Sequence, residues 1–408
     1  MSCRRESPQW TRKTQSLCAG FVLCVLGFLC GELAAGAQEP SAPQAVPAVQ
    51  LQASIDKLGN LDCATRTTAA QTVRRTPSTQ AVPALLQAVA GHVDGYVRYR
   101  ALVLLTGFND PRTRDAMRES LSSPNDRLRA VAYSFFERNP DRAMVPAFLS
   151  ALDKELAEFV RPSLVRALAA QGDDPRIGPV LVREVGRGED FFRSAVVEAL
   201  GDYKARYAVD AIGATAKLDG PLQDDAALAL GKIGDKRALE TLAGLQRTAP
   251  RTSQPSVATA MCLLDINCSA QENYLIETLR FADKNTGFQE LLRAAAFGLG
   301  ALGVAGHGEA VESLFEIGIP ARDDATRAPV ALALGTVALR NTPLITSMLE
   351  KRPDRDKAMA LLAEGFDMLE EDLDKERFFA LARRTYWDAP ENSPARGLMQ
   401  TLIEKLEF

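Results

Sequence analysis

The sequence predicts an all-α chain, a solenoid of stacked helical hairpins, and three observations carry that expectation. The first is the stretch 220–246, GPLQDDAALALGKIGDKRALETLAGLQ. In it Leu222, Ala226, Leu230 and Ile233 step by four, four and three residues; Gly234-Asp235 breaks the run, and Ala238, Leu242 and Leu245, with Ala249 just beyond the stretch, step by four, three and four. This pattern describes two amphipathic helices joined by a tight turn. Neither can bury its apolar stripe alone, so similar units must stack on both sides. The second observation is recurrence. The place of Leu230 is taken by Val73, Leu105, Phe136, Leu168, Leu200, Leu264, Leu299, Leu334 and Phe366, with steps of 30 to 35 residues, which gives about ten hairpins. The third is composition: aromatic residues make up 6% of the chain and apolar residues 46%, with Ala and Leu dominant. That mixture favours close helix packing over sheets.

Residues 1–16 are polar and basic, Leu17 to Gly31 is apolar or small, and Ala35-Gly36-Ala37 offers a cleavage site before Gln38. Residues 1–37 are therefore read as a signal peptide, which makes the chain an exported protein, periplasmic or extracellular. The apolar run is shorter than the roughly 20 residues that span a bilayer, so no stable membrane span is expected after cleavage. Cys3, Cys18, Cys24 and Cys30 leave with the signal. Of the remaining three cysteines, Cys63 is far from the other two, whereas Cys262 and Cys268 either bridge or serve as buried small hydrophobes.

Residues 38–50, with three prolines, read as a flexible tether. The solenoid is expected over 51–390 and a C-terminal capping helix over 391–408. Within the repeats, VRYRALVLLTGFNDPRTRDAMRESL (97–121), RLRAVAYSFFERNPDRAMVPAFLSAL (127–152), FVRPSLVRALAAQGDDPRIGPVLVREV (159–185) and FFRSAVVEALGDYKARYAVDAIGATA (191–216) share an Arg seven residues before the marker. The first three of these units also carry an Asp just after the first helix, at Asp110, Asp141 and Asp174.

These units resemble the HEAT repeat, and more closely its short bacterial form, the HEAT-like repeats of phycobilisome-lyase-type proteins. The resemblance covers roughly residues 54–384, on phrases such as ALALGKIGDKRALETL and VVEALGDYKARYAVDAI. It implies a right-handed superhelix, a curved rod on the order of 100 Å long from helices packed about 8 to 10 Å apart. It also implies an Asp–Arg ladder between turns, for which Arg98, Arg129, Arg161 and Arg193 with Asp110, Asp141 and Asp174 are the candidates; Gln223 ends that run. In the family the second helices line the concave face, so Arg114, Arg118, Arg183, Glu240, Arg247, Glu277 and Arg280 are the side chains expected there.

Residues 364–376, EGFDMLEEDLDKE, hold seven acidic groups and one basic group ahead of Phe378, Phe379, Tyr386 and Trp387. They read as a terminal cap whose aromatics seal the last hydrophobic face and whose acids face solvent. Charge is uneven: residues 38–216 carry 22 basic and 21 acidic groups, residues 217–408 carry 22 and 29, so a basic partner would be drawn to the second half.

Catalytic signatures fail on context. Gly298 to Gly303 spells G-x-G-x-x-G, but it lies where a helix should end rather than after a strand, so the glycines are read as packing residues. His92 and His307 lie 215 residues apart, and the His-Glu dipeptides that hold iron in the HEAT-like deoxyhypusine hydroxylases are absent. The sequence assigns no catalytic, cofactor-binding or metal-ligating residue and leaves the partner-binding residues and oligomeric state open. It suggests a non-catalytic scaffold that binds another macromolecule, a protein rather than nucleic acid, along its concave face. The alternatives are a HEAT-like enzyme or enzyme subunit of the lyase or hydroxylase type, or a structural spacer.

Overall fold

The computed structural model describes residues 43–406. The expected signal peptide and the start of the tether lie outside them. Among the described residues all regular structure is helical, and the chain is an all-α solenoid. After α1 (Ala48–Asp56), which takes over the end of the expected tether, nine hairpins follow: α2 (Cys63–Arg75) with α3 (Ser78–Gly91), α4 (Gly95–Leu105) with α5 (Arg112–Ser120), α6 (Asp126–Arg138) with α7 (Val145–Leu152), α8 (Arg161–Ala169) with α9 (Ile177–Val185), α10 (Asp190–Asp202) with α11 (Val209–Ala216), α12 (Leu222–Ile233) with α13 (Leu239–Thr248), α14 (Gln254–Leu263) with α15 (Cys268–Lys284), α16 (Gln289–Ala305) with α17 (Gly308–Gly318), and α18 (Asp324–Arg340) with α19 (Thr342–Lys351). The tenth unit is α20 (Arg355–Met368), α21 (Asp372–Asp388) and α22 (Pro394–Lys405).

All ten marker residues are buried. The glycines of 298–303 sit inside α16, as packing residues should. A Cβ on Gly300 would lie 3.1 Å from Ala333 Cβ, and one on Gly303 would lie 2.6 Å from Val311 Cγ2. Gly201 meets Ala229 of the next first helix in the same way. First helices therefore pack closely on one another while second helices touch at fewer points, and a stack so built curves with its first helices inside. This corrects the expectation that second helices line the concave face.

The Arg–Asp ladder does not form as expected. Each Arg stands at the start of a first helix and each Asp after the end of the one before, and Asp110, Asp141 and Asp174 pair with Arg112, Arg118 and Arg176 rather than with the Arg of the next unit. Three of the Arg row reach back instead to carbonyls at or just past the end of the preceding second helix: Arg98 Nε donates to Val89 O (2.8 Å), Arg193 Nε to Val185 O (3.0 Å) and Arg129 Nη1 to Ser123 O (2.9 Å), whereas Arg161 lies over the Phe192 ring (3.7 Å) and 3.9 Å from Glu184 Oε2. Gln223 does not end the row, because its Nε2 donates to Ala216 O (3.2 Å), and Gln254, Arg327 and Arg355 repeat the contact. Unpaired helix-end carbonyls need such donors. Gln254 and Arg355 also place the seventh and tenth copies on Met261 and Leu362; Leu264 already lies past the end of α14. The Asp residues open second helices: Asp110, Asp141 and Asp174 accept from the N–H two residues on, at 2.9 to 3.1 Å.

The acids of the last unit do not face solvent. α22, not α21, packs beside α19 and α20 where a tenth second helix belongs, and α21 leaves the stack to cross the inner side. Leu373 joins the apolar core of the N-terminal units, whereas Phe378, Ala382 and Tyr386 of the same helix join the core of the last units. The stack is therefore not an open rod, because its end is clasped to its beginning. The cause is charge: a carboxylate row on α21 finds arginines on first helices that the curve has already turned inward.

Candidate partner-binding face

The inner face is built from the C-terminal ends of first helices, where charged side chains interrupt the apolar stripe. Arg74 ends α2, Arg100 lies in α4, Arg138 ends α6 and Arg340 ends α18. α21 answers each of them. Arg74 Nε donates to both Glu376 oxygens (3.1 and 2.9 Å), with Nη2 2.7 Å from Oε2, and the two side chains are 7% and 1% exposed. Arg100 Nη1 lies 3.2 Å from Asp372 Oδ2, which also accepts from the Tyr99 hydroxyl. Arg138 pairs with Asp374 at 2.6 Å, and Arg340 Nη2 lies 2.9 Å from Glu371 and 3.8 Å from Asp374. Asp374 thus joins the third unit to the ninth.

Burial opposes ionisation of Asp372, but Arg100 and the Tyr99 hydroxyl outweigh it and hold its carboxyl below the usual range. For Asp374 the same opposition is overcome by Arg138 and Arg340. Glu371, more dominated by burial, is pushed up despite Arg340. Burial likewise raises the Tyr99 phenol, and the Asp372 charge adds to that. Charge-assisted pairs of this kind hold the clasp in one register.

A ladder between neighbouring units does exist, from residues the sequence reading missed. Arg166 Nε donates to Glu137 (2.9 Å) and its Nη2 to Asp202 (2.8 Å), while Lys232 donates to Asp202 at 2.7 Å. Tyr203 donates to Glu137 at 2.8 Å. Burial works against the Asp202 charge, but Lys232 and Arg166 bring its carboxyl down to about 2. The signal was available: Arg138, Asp202 and Lys232 all stand two residues after a marker, inside an otherwise apolar stripe.

The side chains expected on the concave face lie on second helices, and of them only Arg114 lines a cleft together with α21. Arg114 and Arg118 reach Asp141 (3.3 and 2.9 Å), Arg183 reaches Glu184 (2.8 Å), Arg280 joins Glu277 (2.9 Å) and Glu316 (3.1 Å), and Glu240 and Arg247 are exposed on α13. Cys262 and Cys268 form a disulfide. His92 and His307 stay apart, but His307 Nδ1 comes within 4.0 Å of Cys268 Sγ and 3.4 Å of Glu272 Oε2. Cys262, Cys268 and His307 present ligand atoms within 4.8 Å of one another, a proximity that spacing alone does not reveal; the disulfide removes the thiolates a metal would need.

No helix among the described residues is by itself long and apolar enough to cross a membrane. The family model for HEAT repeats matches residues 51–135, and that for the PBS lyase HEAT-like repeat matches residues 222–246. No curated protein matches the chain. Among solved structures, the complex of CpcE and CpcF of phycocyanin lyase from Nostoc sp. PCC7120 is 20% identical with a TM-score of 0.41, over 64% of this chain and 97% of that one. Importin beta is 16% identical with a TM-score of 0.39, over 87% of this chain and 55% of that one. Kap95p, in a structure describing its binding to RanGDP, is 12% identical with a TM-score of 0.36, over 88% and 55%. The chain thus spans about half the length of importin beta and of Kap95p. Residues 51–135 and 222–246 thus match HEAT-type repeats, and the helical hairpins of the described chain carry both stretches.

Proposed function

We propose that this protein is an exported, non-catalytic scaffold that binds a protein partner along its inner face. The observation that supports this is α21 itself. An acidic helix with an apolar anchor, Leu373, is held there by arginines from four separate units, so the face already has the chemistry of a groove that receives a helix. Export rests on residues 1–37, and the mature chain would begin at Gln38.

Site-specific crosslinkers placed in the full chain test this reading. Inner-face positions near Lys232 and Glu198 should capture a defined envelope protein, and Lys232→Ala should reduce that capture. Positions near Glu240 and Arg247 on the outside should not capture it. Equal capture from both faces would remove the support. A mature N-terminus other than Gln38, or retention in the cytoplasm, would overturn export.

A second reading, an enzyme or enzyme subunit, rests on the approach of His307 and Glu272 to the Cys262–Cys268 pair and requires that the bridge be reduced to two thiols. Elemental analysis for iron or zinc and an absorption spectrum of the purified protein decide it, since a stoichiometric metal or chromophore would replace the scaffold reading.

A further inference from the structure

Where α21 passes the turns of the first three units, it leaves a cleft of about 1020 Å³ that opens to solvent. Its lining is strongly unbalanced in charge. Six arginines contribute, against two acids, and those acids are already engaged: Asp110 by Arg112 at 2.8 Å and Asp374 by Arg138 at 2.6 Å. Arg74 is neutralised by Glu376. Among the described residues Arg75 and Arg384 have no carboxylate in ion-pair reach, and Arg383 has only Glu376, at 3.9 Å, which Arg74 already holds. Arg383 is 18% exposed, and its buried Nη1 has no hydrogen-bond partner among the described residues. A buried guanidinium N–H without an acceptor is costly and calls for an anion. Burial, with Arg74, Arg75 and Arg384 close by, lowers the Arg383 guanidinium to about 10 even though Glu376 works the other way. Beside these charges, Trp387 and Leu381 of α21 stand 41% and 40% exposed.

We infer that this cleft is a docking site for an acidic peptide segment of a protein partner, whose carboxylates pair with Arg75, Arg383 and Arg384 and whose adjacent apolar side chain covers Trp387 and Leu381. Volume and chemistry separate this occupant from a free oxyanion. The cleft lies at the upper end of the size range that holds a drug-sized ligand, many times what one phosphate fills. The apolar rim has no use for a bare ion. The chain also shows the pairing next door, where Leu373, Asp374 and Glu376 place an apolar anchor among carboxylates on the same set of helices. Complementary charge at such a site steers encounter and sets partner choice. The inference rests on the protein-binding reading above and adds a second location and the chemistry of what docks there.

The test is fluorescence anisotropy with the intact mature protein and a labelled short peptide that alternates Glu or Asp with Leu. Binding should weaken at least about tenfold in the double variant Arg75→Glu/Arg384→Glu. It should hold in Arg176→Glu/Arg237→Glu, an equal change of charge on outer turns that do not line the cleft, with melting curves verifying that both variants fold. Trp387→Ala should weaken binding without altering its salt dependence. Equal loss in both charge variants would reduce the effect to net charge and overturn the site. Equal affinity for a Gln and Asn version of the peptide, or full displacement by inorganic phosphate, would overturn the peptide assignment. If the peptide fails to bind while inner-face crosslinking still captures a protein, the cleft inference alone falls.

Discussion

Arg74 and Glu376 are 302 residues apart in the sequence, and their side chains form a fork-to-fork ion pair that solvent barely reaches. The pair locks the first repeat to a helix of the last one. Removing one partner leaves the other charged and buried, so Glu376→Ala should cost about 3 to 5 kcal/mol in urea unfolding. If the clasp alone gives way, small-angle scattering should show a larger radius of gyration with the helical circular dichroism intact. A variant with unchanged stability and size would show that Leu373 holds the clasp without this pair.

The clasp should be acid-labile. Asp372 and Asp374 titrate below their unfolded values, so they contribute stability above the unfolded value of about 3.9 and lose it as pH falls through their lower folded values. Asp202 extends the loss down to about 2. Glu371, raised by burial, acts in the opposite sense and gives back a part as it protonates. Melting temperature should therefore fall below about pH 4 and the molecule should expand there. Replacing both Asp372 and Asp374 by Asn should flatten that dependence.

Each donor that closes a second helix should matter individually. Arg193→Ala and Gln223→Ala each remove a bond to a helix-end carbonyl, so each should lower stability by about 1 kcal/mol. Arg176→Ala, which removes only the exposed pair with Asp174, should leave the melting temperature unchanged. Equal effects from all three would refute the capping role.

Gly303 is a packing residue, and its substitution should report on structure alone. A Cβ there would crowd Val311 and Val337, so Gly303→Ala should destabilise by about 1 to 3 kcal/mol despite the better helix propensity of alanine. Loss of nucleotide binding without loss of stability would restore the phosphate-loop reading.

The Cys262–Cys268 bridge closes a short loop, six residues apart in sequence, and the double serine variant should lose about 2 kcal/mol. A thermal melt with and without reductant reads the difference: the wild type should fall to the variant's level on reduction, and the variant should not respond.

Much of this architecture was legible in one stretch of sequence. The stepping of Leu222, Ala226, Leu230 and Ile233 is a local property, fixed by the period of the helix, and each hairpin buries its stripe against the next one along the chain. Periodicity therefore predicted the hairpins, their number and the packing role of Gly298 to Gly303. It misplaced what depends on which end of a helix a side chain occupies. Asp110 and Arg129 look paired from one unit to the next, but the Asp follows the end of its first helix and the Arg stands at the start of the next one, where each finds another partner.

The clasp lay beyond the sequence for a different reason. Glu371, Asp372, Asp374 and Glu376 read as a solvated surface because their basic neighbours in the chain, Lys375 and Arg377, are too few to balance them. Only the curvature, accumulated over nine hairpins by the closer packing of first helices, brings Arg74, Arg100, Arg138 and Arg340 within reach. The excess of acid in the second half was visible from composition. That its basic counterpart is the first half of the same molecule is a fact of tertiary structure, since small rotations between successive units add up to a direction that no single unit encodes.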